Sequence, residues 1–335
     1  MVKHETMTIV SIVKHDNIRF AVRRAIQLLG GIKAFVQPGD KVVIKPNLVF
    51  GLPPFTGFTT DYPIVEAIIE LCQQMNPSEV LIAEGSGGIE TKLAFRTGGY
   101  SELAKKYNVK LVDLNKSPTR RVIIPDGKAV QELLVPILIL DSDVLINVPK
   151  LKLYKRVPGQ RDWASLAVKN LLGTIPGKGK YSDRRPDEFP IECSPEFYFP
   201  EGKLFHPDYR QWWSPRGERK RIHRNLVEGL VDINKVIKPA LNVLDAFMVS
   251  DDINMTTTKA KPPFELCTIL ASRDPLALDC IAVKISGIDP FDTLYLKHAA
   301  ERGIGESDYN KIQVKGTALK TIIETWKQHV DTPVS

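Results

Sequence analysis

Lys41-Val42-Val43-Ile44-Lys45-Pro46-Asn47 and Glu79-Val80-Leu81-Ile82-Ala83-Glu84-Gly85 decide how this chain folds. Both are short apolar runs that finish on a charged residue, the form of a strand buried in a parallel sheet. Between them, Tyr62 to Met75 carries its apolar residues at helical spacing. Strand, helix and strand in that order predict a βαβ unit.

The rhythm continues outward in both directions. Met7 to Lys14 reads as a strand, Ile18 to Leu29 as a helix ended by Gly30-Gly31, Lys41 to Val49 and Glu79 to Glu84 as strands, Thr91 to Tyr107 as a helix and Lys110 to Leu114 as a strand. Arg120 to Gln131 reads as a hairpin turning at Asp126-Gly127. Asp143 to Val148 is then a strand, Trp163 to Leu172 and Leu226 to Ile237 are helices, and Asn242 to Phe247 and Leu266 to Ala271 are strands. Leu276 to Ile285 is a helix, Lys311 to Lys315 a strand and Ala318 to His329 a closing helix. The expected fold class is α/β: a doubly wound, mostly parallel sheet with helices on both faces. It forms either one unit over 1–335 or two lobes, 7–150 and 223–330, joined through 151–175.

The periodicity fails between Pro176 and Ile222. This stretch holds nine of the 26 aromatic residues and seven of the 24 prolines. A connection this long inside a domain is usually functional or disordered. Its rings, among them Phe197, Tyr198, Phe199, Trp212 and Trp213, argue for an ordered aromatic/Pro-rich insertion that acts as a lid or as an interface arm in a homo-oligomer.

The 335 residues are 43% apolar and 25% charged, which excludes a disordered, collagenous or disulfide-stapled chain. A net charge of +7 suits an anionic small molecule as well as nucleic acid, and solubility alone would account for it. No apolar run approaches the ~20 residues of a membrane helix. The opening Met-Val-Lys-His-Glu-Thr leads into a strand pattern and not into the apolar core of a secretory signal, so a cytoplasmic location is expected. Cys72, Cys193, Cys267 and Cys280 are scattered, without zinc spacing, and are expected to be reduced thiols.

Ligands of open α/β sheets sit beyond the carboxyl ends of the strands, which makes three strand exits the candidates. At the first, Lys45 and Asn47 flank Pro46, which stiffens the chain and donates no amide hydrogen. At the second, Glu84 is followed by Gly85-Ser86-Gly87-Gly88, small residues whose amides can approach an anion. A carboxylate directly after a buried strand invites either pairing with a lysine or a role as a base. At the third, Asn147-Val148-Pro149-Lys150-Leu151-Lys152 sets two lysines on one side of an extended chain, about 7 Å apart. Lysine neighbours repel, which lowers their proton affinity and attracts carboxylate or phosphate. Lys169 and Asn170 interrupt an apolar helical run nearby in sequence. Asp61 and Asp274 read as helix caps. Asp245, Asp251 and Asp252 are weak candidates, with Glu84, for a divalent ion. The basic run Arg216, Arg219, Lys220, Arg221 and Arg224 beside Trp212 and Trp213 resembles a single-strand nucleic-acid surface, but a lid closing on an anion explains it more simply.

Lys45-Pro46-Asn47-Leu48-Val49, Thr60-Asp61, Glu84-Gly85, Asn147 to Lys152, Val168-Lys169-Asn170-Leu171-Leu172-Gly173 and Asp274-Pro275 with Ala277 and Asp279 occur in an order that resembles the domain-of-unknown-function 362 family, over about residues 8 to 316. The resemblance implies an α/β domain often fused to, or encoded beside, ferredoxin-like modules, and hence redox chemistry or an iron–sulfur partner. This chain departs from that pattern in lacking a four-cysteine run, so no self-contained iron–sulfur cluster is expected. Tyr154 stands where many members have histidine, His223 matches a later family histidine, and Asp251 to Met255 replaces a Gly-rich segment. The leading expectation is an enzyme acting on an anionic small molecule. Lys45, Lys152, Asn47, Asn147, Asn170, Gly85, Ser86 and Gly87 would hold it, and Glu84, His223, Lys150 and Lys169 would carry the chemistry. The competing expectations are a redox partner or assembly factor for an iron–sulfur protein and, less favoured, a nucleic-acid-binding protein.

Overall fold

The computed structural model describes residues 7–49, 51–87, 89–153, 164–177, 222, 225–250 and 263–330. Its strands in chain order are β1 (Thr8–Lys14), β2 (Lys41–Lys45), β3 (Glu79–Glu84), β4 (Lys110–Asp113), β5 (Thr119–Ile123), β6 (Glu132–Pro136), β7 (Val144–Asn147), β8 (Lys152–Leu153), β9 (Ala164–Ser165), β10 (Leu241–Val249), β11 (Phe264–Ser272) and β12 (Ile312–Gly316). Eight of them form one α/β sheet in the order β12-β1-β11-β10-β7-β2-β3-β4. The pairs from β10 through β4 are parallel, as is β1 with β12. β11 alone runs against both its neighbours, β1 and β10. No helical pattern separates β10 from β11 in the sequence, and without a crossover two successive strands can pair only head to tail.

Helices cover both faces. On one, the helices Ile18–Leu28 and Tyr62–Gln73 pack Ala21, Ala25, Ile64 and Ile68 onto Val42, Ile44, Ile82 and Ile146. On the other, the helix Pro275–Ile285 meets Val10, Ile12 and Leu270, and the β5–β6 hairpin with the helix Leu226–Val236 covers Val43, Leu81 and Leu145. Consecutive residues of β2 thus serve opposite cores, as a strand period of two requires.

Three local expectations are corrected. The strand from Lys41 ends at Lys45, because Pro46 has no N–H with which to continue the ladder. The helix expected over Thr91 to Tyr107 is two, Thr91–Thr97 and Tyr100–Tyr107, divided at Gly98-Gly99. Gly99 has φ +82, and a Cβ there would lie 2.9 Å from the Tyr62 ring. The helix expected from Trp163 begins only at Ala167. Ala164–Ser165 instead pairs with β8, the helix Ala167–Asn170 is a single turn, and a 3₁₀ turn carries it on to Thr174. Asp279, from a helix more than a hundred residues later, accepts the Ala167 and Val168 N–H groups at 2.8 and 2.9 Å and supplies the missing cap. Asp274 caps as expected, accepting from Leu276 and Ala277, whereas Asp61 occupies the N-cap position of the helix Tyr62–Gln73 without a side-chain capping bond.

Candidate functional site

From β2 the chain passes to β3 and β4 on one side, whereas β7 leads to β10 and β11 on the other. The reversal point lies between β2 and β7, where an open parallel sheet leaves a crevice at its carboxyl edge. Lys45 is in register with Asn147 across that junction, and Asn147 with Asn242 on β10. Three residues further along both segments, Lys150 bridges to Asp245.

Lys45 leaves β2 with no exposed surface, so its charge requires a partner. Its Nζ donates to Glu84 Oε2 at 2.8 Å, to the Pro46 carbonyl at 2.9 Å and to Asn170 Oδ1 at 3.3 Å. The other oxygen of Glu84 accepts the Gly85 N–H at 2.9 Å. Gly173 lies on top of this pair: a Cβ there would come within 2.5 Å of Glu84 Oε1 and 2.7 Å of Lys45 Nζ.

The carboxamides extend the network. Asn47 donates to Asn170 Oδ1 at 2.7 Å, and Asn170 in turn donates to Asn147 Oδ1 at 2.7 Å. Asn147 donates to Asn242 Oδ1 at 2.9 Å and to the Ala167 carbonyl at 3.1 Å. Lys152 Nζ donates to Asn47 Oδ1 at 2.6 Å. On the far side, Lys150 Nζ donates to Asp245 Oδ2 at 2.9 Å, and the same oxygen accepts the Asp61 N–H at 2.8 Å. Lys45, Lys150, Lys152, Asn47, Asn147, Asn170, Glu84 and Asp245 are all buried, whereas Asp61 and Lys169 are half-buried.

Burial draws the Lys152 amine down to about 7; the ammonium groups of Lys169, Lys150 and Lys45 act in the same direction and Glu84 opposes them. Burial and Asp245 push the Asp61 carboxyl up to about 6, with Lys150 opposing. Burial, with the carboxylates of Asp61, Asp245 and Glu84 nearby, holds the Tyr100 phenol well above its ordinary value, and its hydroxyl donates to the Thr60 carbonyl at 2.9 Å. Two groups therefore change charge near neutrality, one on each side of the cluster.

Lys45, Asn47, Glu84, Asn147, Lys150, Lys152 and Asn170 thus come together as expected from sequence, and Lys169 stands near enough to act on Lys152. The glycine-rich turn is tied inward: Gly85 N–H also donates to the Gly173 carbonyl, and Ser86 donates through its N–H to Thr91 Oγ1 and through its hydroxyl to the Val49 carbonyl. Gly87 follows it, half-buried. Among the described residues, no group of three or more His, Cys, Asp or Glu side chains is placed to hold a metal ion, and Asp245 is committed to Lys150. His223, Asp251, Asp252, the basic run and the aromatic insertion from Lys178 to Arg221 lie outside the described residues. Sequence reasoning quoted Gly173 and Asp279 within motifs without giving either a role, gave none to Asn242, and took Asp61 for a cap. The signal at Asn242 was an asparagine in a buried strand.

Residues 42–284 match the family described as Domain of unknown function (DUF362). The chain belongs to the DUF362 family. The match lies within the 8 to 316 span over which the motifs suggested it. This DUF362 chain is 26% identical over 308 residues to the Thylakoid-associated protein sll1697 of Synechocystis sp., covering 92% of this chain and 82% of that protein. Among solved structures it is similar to the lactate racemase apoprotein from Thermoanaerobacterium thermosaccharolyticum, with a TM-score of 0.40, 16% identity and coverage of 86% of this chain and 59% of that one. A protein from Thermotoga maritima gives a TM-score of 0.34 and 13% identity, over 90% of this chain and 61% of that one. The chain therefore spans about three fifths of the length of the solved structures it matches. Among the described residues, no helix is long and apolar enough to cross a membrane.

Proposed function

We propose that this DUF362 protein is an enzyme that binds an anionic organic molecule, bearing carboxylate or phosphate, at the carboxyl ends of β2, β3, β7 and β10. The observation that carries this reading is the convergence at the point where strand order reverses of Lys45 and Lys152, hydrogen-bonded with Asn47, Asn147 and Asn170 in one group, and of Lys150, paired with Asp245 on the far side. Lys152 and Lys169 hold the anion. Lys45 and Lys150, each neutralised by its own carboxylate, fix the frame of the site, and the asparagines orient the ligand. Glu84, with both oxygens engaged, positions Lys45. Asp61 is half-buried with a proton affinity raised to about 6, and it exchanges the proton.

The reading is tested by calorimetric titration of the full chain with acetate, citrate, inorganic phosphate and glycerol phosphate at constant ionic strength. At least one should bind saturably, with affinity reduced tenfold or more by Lys152→Met and by Lys169→Ala. Heats that follow ionic strength alone, or affinities untouched by both substitutions, would count against it.

A further inference from the structure

The three buried lysines of the cluster are not equivalent. Lys45 donates to Glu84 and Lys150 to Asp245, so each is paired with a carboxylate at 2.8–2.9 Å. Lys152 is also buried, but among the described residues its hydrogen bond is to a neutral acceptor, the Asn47 carboxamide oxygen, at 2.6 Å. Asn47 is itself fixed, because its Nδ2 donates to Asn170 Oδ1 and its backbone N–H to Thr60 Oγ1 at 2.9 Å. Its oxygen is thereby turned toward the amine. One N–H of Lys152 is directed at Asn47.

We propose that Lys152 captures a carbonyl compound: its Nζ forms an imine with an oxo acid whose carboxylate lies beside Lys169. This inference rests on the anion-binding reading above and narrows the ligand to an anion that carries an aldehyde or ketone. A lysine among other cations in a desolvated pocket is nucleophilic at neutral pH because the uncharged amine is favoured there. The position of the Lys152 proton equilibrium near 7 agrees with this: burial is the main cause, the ammonium groups of Lys169, Lys150 and Lys45 add to it, and Glu84 opposes. Nζ attacks the carbonyl carbon, the C–N bond forms, and the C=O π pair moves to oxygen. The two hydrogens of the amine leave with that oxygen as water, giving the imine with no oxidant or reductant consumed. Protonation of the imine nitrogen then makes it an electron sink for cleavage of a bond at the adjacent carbon.

The test uses the full chain at neutral pH with sodium cyanoborohydride and, separately, glyoxylate, pyruvate and 2-oxoglutarate. Intact mass should show one reduced adduct per chain for at least one of them, and peptide mapping should place it on Lys152. Its rate should exceed that of exposed lysines tenfold or more, be abolished in Lys152→Arg, and be slowed by propionate or glutarate, which carry carboxylate without the carbonyl. Mapping on the unsubstituted chain gives the answer even if the variant does not fold. Adducts spread over exposed lysines would overturn the inference. If propionate or glutarate then still binds by calorimetry, the anion-binding reading survives; if neither binds, both fall.

Discussion

Lys45 and Glu84, at the exits of adjacent parallel strands, form an ion pair with neither partner more than 1% exposed. In such a position an unpaired charge is far more costly than the pair is stabilising. Lys45→Met should therefore destabilise the chain by about 3–5 kcal/mol, while Lys45→Met with Glu84→Leu should recover much of that loss. Urea unfolding of the two single variants and the double variant measures this. Additive losses would show that the two residues do not act as a pair.

Gly173 makes the same point from the opposite side. A methyl group there meets Glu84 and Lys45 at 2.5 and 2.7 Å, so Gly173→Ala must displace either the pair or the 3₁₀ turn. A loss of about 1–3 kcal/mol is expected from overpacking, together with weaker anion binding. Unchanged stability and binding would mean that the segment Leu171–Thr174 yields freely.

Asp279 holds the start of the helix Ala167–Asn170 with two hydrogen bonds from backbone amides. Asp279→Asn places an NH₂ group against one of those N–H donors and should cost about 1–3 kcal/mol. Hydrogen exchange should also quicken at Ala167 to Lys169, and Asn170 should lose its alignment with Asn47. Exchange confined to its original rates in that turn would assign the cap elsewhere.

Proton linkage gives two opposed signs. Asp61 binds a proton more tightly folded than unfolded, so its contribution to stability is lost as pH rises from about 4 to about 6. Lys152 binds one less tightly when folded. Between about 7 and 10.5 the unfolded chain holds the extra proton, and stability gains from this residue as pH rises. Unfolding measured across pH should lose the upper slope in Lys152→Met and the lower one in Asp61→Asn. An anion bound beside Lys152 restores its proton affinity, so titrations at pH 8 in buffers of differing ionisation enthalpy should show proton uptake. Identical heats in all buffers would place the anion away from Lys152.

Much of this was legible in the sequence. Strand positions followed from apolar runs, and Lys45, Glu84 and Lys150 stood out because a charge that ends a buried strand has to find a partner. Which partner it finds is a matter of tertiary distance. Lys150 and Asp245 are 95 residues apart, and no local pattern distinguishes Asp245 from Asp251 or Asp252. Asp61 shows the limit most clearly. At a helix start an aspartate is ordinarily a cap, and only the arrival of β10 turns its backbone N–H toward Asp245 and its carboxyl toward a like charge. The single-turn helix at Ala167 was illegible for the same reason, since its cap comes from Asp279.

The place of β1 in the sheet sets an order of assembly. Its two neighbours, β11 and β12, begin at Phe264 and Ile312, so the first of the sheet's eight strands in chain order pairs with the two that come last. The strands β2, β3, β4 and β7 can associate meanwhile, each with a partner already made. Throughout synthesis β1 presents two unsatisfied edges, and it is closed into the sheet only when β11 arrives antiparallel beside it. A chain cut short before residue 264 would therefore retain the parallel half but leave its N-terminal strand available to any other open edge in the cell.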